Sequence, residues 1–303
     1  MQQNAALTST DQLTSQVPSA GHPERERGST DVAAAPERWH HWRAHYGPWA
    51  VVTGASSGIG LEIARKIARR GVNVVLAARR VRQLESLGEE LQRDCGVDVR
   101  IVAVDLSTES GVNRLKEQTG DLEIGLLVAN AGFGSSGPFL DQQADGELNL
   151  VDLNVRSVTA QAHHFLQPMR QRRSGGLVLL SSILAWQGVP GAASYAASKA
   201  YVQSLAEALR LELKPFNVDV LSAAPAQVDT GFNDRANLRS PGSEPAAVAR
   251  NILDHLGRRT TVYPHFRGWF LTRALSMLPR FARVRVLGGV MAGMTRHQRG
   301  GSG

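Results

Sequence analysis

The chain has 303 residues, of which 42% are hydrophobic and 20% charged, so it accommodates one large domain or two and is neither wholly disordered nor collagen-like. Its only cysteine, Cys95, excludes an internal disulfide and a cysteine-rich zinc site. Residues 258–303 carry nine arginines and no acidic residue, while residues 1–47 and the middle of the chain sum to −1 each, so the formal charge of +7 comes from the C-terminal end. A near-neutral body without a nucleic-acid-binding motif predicts no nucleic-acid partner.

Residues 1–46 are predicted to form a mobile N-terminal tail, because the first 35 or so contain few large apolar residues. The opening residues lack the basic start and apolar run of a secretory signal, and no stretch of about 18 apolar residues predicts a membrane-spanning helix. We therefore expect a cytoplasmic protein. The aromatic, histidine-rich segment 39–46 suggests a metal site, but no cysteine or carboxylate cluster accompanies it. We expect it to pack on the following domain, and we predict no metal site.

From Trp49 onward, short apolar runs alternate with amphipathic helices. Ile59, Ile63 and Ile67, for example, recur every four residues on one helical face. The strand-like runs lie at residues 49–53, 72–77, 97–104, 124–129, 177–180 and 218–221. This pattern predicts a doubly wound Rossmann-type α/β fold for residues 47–257, with a parallel sheet flanked by helices on both faces. Residues 258–303 then form a basic, partly amphipathic C-terminal extension.

A glycine-rich turn follows the first strand and opens the first helix of this domain. Glycines at such a junction let free backbone amides approach a dinucleotide pyrophosphate. No Gly-Lys-Ser/Thr follows, which argues against a P-loop, although an ordinary glycine turn remains the alternative. The residues predicted to contact the cofactor here are Gly54, Ser56, Ser57, Gly58, Ile59 and Gly60.

Two arginines, Arg79 and Arg80, stand at the end of the second strand, where the residue that contacts the adenosine ribose is expected. An acidic residue there would hydrogen-bond a free 2′-hydroxyl and repel a phosphate. Guanidinium groups instead offer forked donors to a 2′-phosphate. The sequence therefore predicts NADP(H) rather than NAD(H).

Tyr195 and Lys199 lie four residues apart in a predicted helix that runs from residue 194 to about residue 213, so they share one face about a turn apart. An ammonium beside a phenol lowers the pKa of the phenol and favours acid–base chemistry near neutral pH. A Tyr-x-x-x-Lys pair is common by chance. Here Ser182 also ends a strand-like run thirteen residues before Tyr195.

Together these motifs resemble those of the short-chain dehydrogenases/reductases, in their main single-domain branch, over roughly residues 49–231. Each motif is weak alone, but all follow the order of the family. The matching positions are residues 53–60, Asp105, Asn130-Ala131-Gly132, Asn154, Ser181-Ser182, Tyr195, Lys199 and residues 225–230.

The resemblance implies four catalytic residues. Tyr195 would be the general acid/base during hydride transfer, and Lys199 would bind the nicotinamide ribose and lower the pKa of Tyr195. Ser182 would hydrogen-bond the reacting oxygen. Asn154 would hold a water molecule that links Lys199 to solvent.

The resemblance also implies further cofactor contacts around the nucleotide. Asp105 and its neighbour Leu106 would lie at the adenine, and the turn formed by Asn130, Ala131 and Gly132 beside the adenine ribose. Contacts to the nicotinamide end would come from Pro225, Val228 and Thr230. Residue 226 is an alanine, whereas the family has glycine after the matching proline. The backbone at this position is therefore expected to differ slightly from that of the family.

The C-terminal extension contains an amphipathic helix predicted over residues 266–278 and ended by Pro279. With its aromatic residues and the local charge of +9, this helix suits an anionic membrane surface. We favour the alternative that it packs over the substrate pocket or against another subunit. Leu184, Trp186, Val189 and Phe232 suggest an apolar substrate surface, although they could equally pack beneath a loop.

The sequence thus predicts an NADP(H)-dependent oxidoreductase that interconverts a carbonyl and a secondary alcohol in a small, apolar substrate. The resemblance favours a homodimer or homotetramer assembled through helices around residues 158–171 and 195–213. The alternatives are a non-catalytic NADP-binding sensor and a membrane-associated adaptor on the same fold.

Overall fold

A parallel sheet of seven strands crosses the part of the chain that the computed structural model describes, residues 37–229, 242–264 and 266–295. The spatial order of the strands is β3-β2-β1-β4-β5-β6-β7. The order reverses between β1 and β4, which opens a crevice at the carboxyl ends of these two strands. In chain order the strands are β1 Trp49–Thr53, β2 Asn73–Ala78, β3 Val99–Ala103, β4 Ile124–Ala129, β5 Gly175–Leu180, β6 Val218–Ala223 and β7 Thr261–Val262.

Helices connect and cover the strands. A stretch of π-helix, Asp152–Ser157, joins two of them. The α-helices of the described residues are α1 His40–Tyr46, α2 Gly58–Ala68, α3 Val81–Cys95, α4 Glu109–Glu117, α5 Ala144–Val151, α6 Val158–Arg172, α7 Ala193–Leu213, α8 Pro245–His255, α9 Phe266–Ser276 and α10 Arg280–Met294.

The sheet is buried on both faces, which is why its strands are continuous apolar runs. On one face, Ile63 and Ile67 of α2 pack with side chains of α3 and α8 against alternate residues of the strands. On the other face, α4, α6 and α7 contribute Leu115, Phe165 and Val202 to a second apolar layer. The predicted doubly wound α/β fold is confirmed.

Two C-terminal elements lie outside the sequence-based predictions. The strand β7 is only two residues long, too short for a periodic signal. Beyond the predicted stop at Pro279, the chain forms a second helix, α10, whose Leu287 and Met291 are buried. Leu275 of α9 belongs to the same small cluster as these two residues, so the C-terminal extension packs onto the domain.

The N-terminal tail predicted for residues 1–46 must be shortened, because residues 37–46 form helices that pack on the domain. Tyr46 is 5% exposed, and its hydroxyl donates a 2.7 Å hydrogen bond to Asp219 in β6. The guanidinium of the buried Arg70 lies 4.4 Å from the ring centroid of Trp39 and 4.8 Å from that of Trp42. Residues 1–36 lie outside the described part of the chain.

We predict that Tyr46→Phe destabilises the fold by about 1–2 kcal/mol, because it deletes a hydrogen bond to a half-buried carboxylate. Urea unfolding with linear extrapolation measures the change. Tyr201→Phe is the matched control, since the Tyr201 hydroxyl bonds the neutral side chain of Thr159 at an exposed position, and we expect a change within about 0.5 kcal/mol. Equal losses in the two variants would contradict a special role for the Tyr46–Asp219 bond.

Candidate active site

The glycine-rich turn after β1 lies at the floor of a cavity of about 440 Å³ at the carboxyl ends of the strands. Gly54 has a φ of +67°, and a Cβ on it would lie 2.7 Å from Asn130 Nδ2. Gly58 also has positive φ, at 60°, whereas Gly60 packs against the same asparagine. These glycines keep the turn tight and its backbone accessible.

The N-terminus of α2 points into this cavity without a side-chain cap. Ser57 is the N-cap residue, yet its side chain makes no capping hydrogen bond, and the first turn carries no acidic residue. The helix therefore presents unpaired backbone amides and a positive dipole end, which suit a pyrophosphate. The predicted residues Ser56, Ser57, Gly58 and Ile59 all line the cavity.

Both predicted arginines lie at the same end of the cavity. Arg80 donates from Nε and Nη2 to Ser56 Oγ at 3.2 and 3.0 Å. Arg79 is also exposed, and its Nη1 lies 3.5 Å from Asp105 Oδ2. Two guanidinium groups thus converge beside the glycine turn, and this arrangement fits a 2′-phosphate.

The turn after β4 forms the opposite wall. Asn130, Ala131 and Gly132 line the cavity, as do Asp105 and Leu106 after β3. Burial works to raise the pKa of Asp105, but hydrogen bonds from Ser107 and the nearby Arg79 outweigh it, so this pKa lies below its usual value. The Asp105 carboxylate is therefore ionised at neutral pH.

The residues predicted to perform chemistry meet at the other end of the cavity. Ser182 follows β5, and Tyr195 and Lys199 lie one turn apart in α7. The Lys199 ammonium donates a 2.7 Å hydrogen bond to the Leu180 carbonyl and lies 5.7 Å from the centroid of the Tyr195 ring. Tyr195 is half-buried and Lys199 is buried, and with Ser182 they form one corner of the cavity.

Burial dominates the electrostatics of this corner. Desolvation raises the pKa of Tyr195 to about 12, although a hydrogen bond with Ser182 acts in the opposite direction. Desolvation also lowers the pKa of Lys199 to about 8. The spacing of the two residues predicts a lowered tyrosine pKa, but the cost of burying a phenolate dominates here and raises it.

Asn154 lies behind this corner, in the π-helical stretch before α6. Its Nδ2 donates to the Phe133 carbonyl at 2.9 Å and to Ser198 Oγ at 3.1 Å. Ser198 in turn donates 2.8 Å to the Tyr195 carbonyl. Asn154 therefore connects the turn after β4 to the helix that carries the tyrosine, and it does not itself line the cavity.

A Cβ on Gly132 would lie 2.9 Å from Asn154 Oδ1 and 3.5 Å from Lys199 Nζ. The first distance is too short for a Cβ, so any other residue would displace Asn154, whereas the second is an ordinary van der Waals contact. Ser198 was not predicted as a site residue, and nothing in its sequence spacing distinguishes it from the other small residues of α7.

The segment after β6 completes the wall near Tyr195. Pro225, Ala226 and Val228 line the cavity, whereas Thr230 lies outside the described residues. The methyl group of Ala226 lies next to Gly268 of α9, where a Cβ would come 3.4 Å from it. Because Gly268 has no side chain, the methyl group has room. The residue that departs from the Pro-Gly pattern thus faces the closely packed helix α9.

The apolar lining beside Tyr195 comes from residues that sequence reasoning largely missed. Leu184 lines the cavity as predicted. Val189 is buried in the cluster that contacts Tyr195. The ring of Trp186 lies beside that of Tyr263. Phe232 lies outside the described residues. The C-terminal helices supply five further apolar lining residues, Leu271, Leu287, Val290, Met291 and Met294. The spacing of Leu287, Met291 and Met294 at i, i+4 and i+7 is the helical signal that could have identified them.

Comparisons with known proteins agree with this geometry. The sequence profile of the short chain dehydrogenase family matches residues 48–240. A 7beta-hydroxysteroid dehydrogenase from Clostridium sardiniense is 32% identical over 211 residues, which cover 69% of this chain and 78% of the relative. A very-long-chain 3-oxoacyl-CoA reductase-like protein from Arabidopsis thaliana is 32% identical over 238 residues, or 75% of this chain and 76% of the relative.

Among solved structures, a short-chain dehydrogenase from Sphingobium yanoikuyae in complex with NADPH superposes with a TM-score of 0.70. It is 30% identical, and the match covers 76% of this chain and 93% of that structure.

The Tyr195 phenol should stay protonated through mildly alkaline pH in the ligand-free protein, because its pKa is raised to about 12. We expect the phenolate absorbance of the wild type minus that of Tyr195→Phe to stay near zero up to about pH 10, the ordinary range of tyrosine. In denaturant, the same difference should show one tyrosine ionising near pH 10. A folded-state difference already complete near pH 8 would contradict the dominance of burial.

Proposed function

The chain belongs to the short-chain dehydrogenases/reductases, oxidoreductases that interconvert carbonyl and alcohol groups with a nicotinamide cofactor, and we propose that it uses NADP(H) with Tyr195 as the general acid/base. One observation carries this proposal. A single cavity has a phosphate-compatible glycine turn with two arginines at one end, and a serine, tyrosine and lysine at the other.

The proposed chemistry assigns a protonated phenol to the reduction step. When bound, NADPH supplies a hydride to the carbonyl carbon. The Tyr195 hydroxyl donates its proton to the carbonyl oxygen, and Ser182 Oγ donates a hydrogen bond to that oxygen. The raised pKa of Tyr195 keeps the phenol protonated at neutral pH, and this is the form that the reductive direction requires.

Lys199 and Asn154 have supporting roles in this proposal. The Lys199 ammonium stabilises the phenolate that forms when the proton leaves, and the resemblance also gives it the nicotinamide ribose as a ligand. The bonds of Asn154 to Phe133 and Ser198 hold α7 in register with the turn after β4. This contact positions Tyr195, and we propose that Asn154 also holds the water that links Lys199 to solvent.

The remaining cofactor contacts follow from the lining of the cavity. We propose that Arg79 and Arg80 bind the 2′-phosphate, and that the amides at the start of α2 bind the pyrophosphate. Asp105, Leu106 and the turn of Asn130, Ala131 and Gly132 would hold the adenosine. Pro225, Val228 and Thr230 would hold the nicotinamide, and Gly54 and Gly60 shape the turn beneath the phosphates.

We propose a small, apolar carbonyl or alcohol as substrate, because aliphatic side chains of α9 and α10 line the cavity beside Tyr195. Relatives named for steroids and for 3-oxoacyl thioesters agree with an apolar ligand. For the assembly we propose a homodimer or homotetramer through α6 and α7.

We also propose that the enzyme is cytoplasmic. None of the helices in the described ranges combines the length and apolar character needed to cross a membrane.

Tyr195→Phe should lower NADPH-dependent carbonyl reduction by at least about a hundredfold, because the proton donor is lost while the ring remains. NADPH binding, followed by fluorescence titration, should change little. A panel of ketones, quinones and 3-oxoacyl thioesters supplies the substrates. Tyr201→Phe, in the same helix but outside the cavity, is the control and should keep wild-type turnover. Near wild-type turnover in Tyr195→Phe would refute the assignment, and binding without turnover by the wild-type protein would favour a sensor.

Arg79→Ala should raise the KM for NADPH roughly tenfold or more, because it removes a charge-assisted contact to the 2′-phosphate. The KM for NADH should change by less than about twofold. Arg82, which is exposed in the first turn of α3 and is absent from the cavity lining, provides the control variant Arg82→Ala. Equal effects of Arg79→Ala on both cofactors would refute a phosphate contact.

A further inference from the structure

The helices α9 and α10, here called the C-terminal cap, expose several large apolar side chains. On α9, Leu275 and Gly268 face the protein, whereas Trp269 and Phe270 point away from it, with exposures of 46% and 59%. The apolar side predicted for this helix from its sequence is therefore largely its outer side. The outer face of the cap comprises Trp269, Phe270, Met277, Leu278, Phe281, Val286 and Val290, each at least 40% exposed.

The charge of the cap has a single sign. Arg273, Arg280 and Arg285 are exposed among the apolar residues of the outer face, and residues 258–303 contain no acidic side chain. A surface that mixes aromatic rings with arginines, and has no carboxylates, is complementary to the interfacial region of an anionic bilayer. A second copy of the cap would instead bring like charges together.

The outer face continues into the mouth of the cavity. Leu271 and Val290 line the cavity and are also 41% and 51% exposed. On the inner side of the same helices, Leu275, Leu287 and Met291 belong to the cluster that contacts Tyr195. An apolar path therefore leads from the outer face of the cap, over its rim, to the reacting tyrosine.

We propose that the outer face of the C-terminal cap docks on an anionic lipid bilayer and places the mouth of the cavity against the membrane. A lipophilic carbonyl compound then passes from the lipid to Tyr195 without crossing bulk water. The delivery of substrate rests on the function proposed above, whereas the docking does not. The aromatic rings lie at the level of the headgroups and the arginines pair with lipid phosphates.

Co-sedimentation of the full-length protein with vesicles tests the docking. The wild type should bind vesicles of phosphatidylcholine with phosphatidylglycerol at low salt, and bind phosphatidylcholine alone much more weakly. Trp269→Ser/Phe270→Ser should lower the partition coefficient roughly tenfold or more, because two apolar side chains are lost. The matched variant Trp269→Phe/Phe270→Leu keeps the apolar character and should retain binding.

The charges are tested separately with Arg273→Gln/Arg280→Gln/Arg285→Gln. Binding to the anionic vesicles should fall about fivefold for each arginine removed, and binding to neutral vesicles should not change.

Equal binding by the wild type and Trp269→Ser/Phe270→Ser would overturn the proposal. A second outcome would also overturn it: Trp269→Ser/Phe270→Ser dissociates a dimer in sedimentation velocity but does not change vesicle binding. The outer face of the cap would then be covered by a second copy of the chain.

The orientation of the mouth is tested by tryptophan quenching with brominated phosphatidylcholine in the same anionic vesicles. In the Trp269→Phe background, Val290→Trp should gain quenching because the rim meets the lipid. Leu211→Trp, at a position 73% exposed on α7, should gain none. An unquenched Val290→Trp would refute the orientation. These measurements need no turnover, so their failure is distinguishable from the failure of Tyr195→Phe to abolish activity.

Discussion

The ends of β1 and β4 are joined by a short set of hydrogen bonds, and the cavity is built around this junction. Thr53 Oγ1 accepts from the backbone amides of Asn130 and Ala131 at 3.0 and 3.1 Å, and Asn130 Nδ2 donates 2.8 Å to the Thr53 carbonyl. These bonds satisfy buried backbone groups at the point where the strand order reverses. The glycine turn leaves from one side of the junction and the turn of Asn130 leaves from the other, so both walls have a fixed separation.

The sequence was sufficient to predict six of the seven strands and the shared helical face of Tyr195 and Lys199, because both depend on local patterns. Buried parallel strands are continuous apolar runs, and residues four apart in a helix share a face. The cap was harder to predict. Apolar periodicity shows that a helix has a side that avoids water, but it does not show what covers that side. In α9 the outward Trp269 and Phe270 and the inward Leu275 all contribute to the same apolar signal.

The pKa of Tyr195 shows a second limit of sequence reasoning. The position of Lys199 in the chain implies proximity, and proximity alone predicts a lowered tyrosine pKa. The depth of the corner depends on the distant residues of α10 that close over it. Desolvation therefore comes from tertiary structure, and it shifts the tyrosine and the lysine in opposite directions, each toward its neutral form.

The cap contacts the catalytic body at two glycines where a side chain would be crowded. A Cβ on Gly268 would lie 3.3 Å from Ile183 Cγ2, and one on Gly288 would lie 3.1 Å from Pro190 Cγ. Both contacts fall on the segment between β5 and α7, at either end of the stretch that leads from Ser182 to Tyr195. These glycines therefore mark the boundary at which a different C-terminal segment could replace the cap. Such a segment would need glycine or another small residue opposite Ile183 and Pro190.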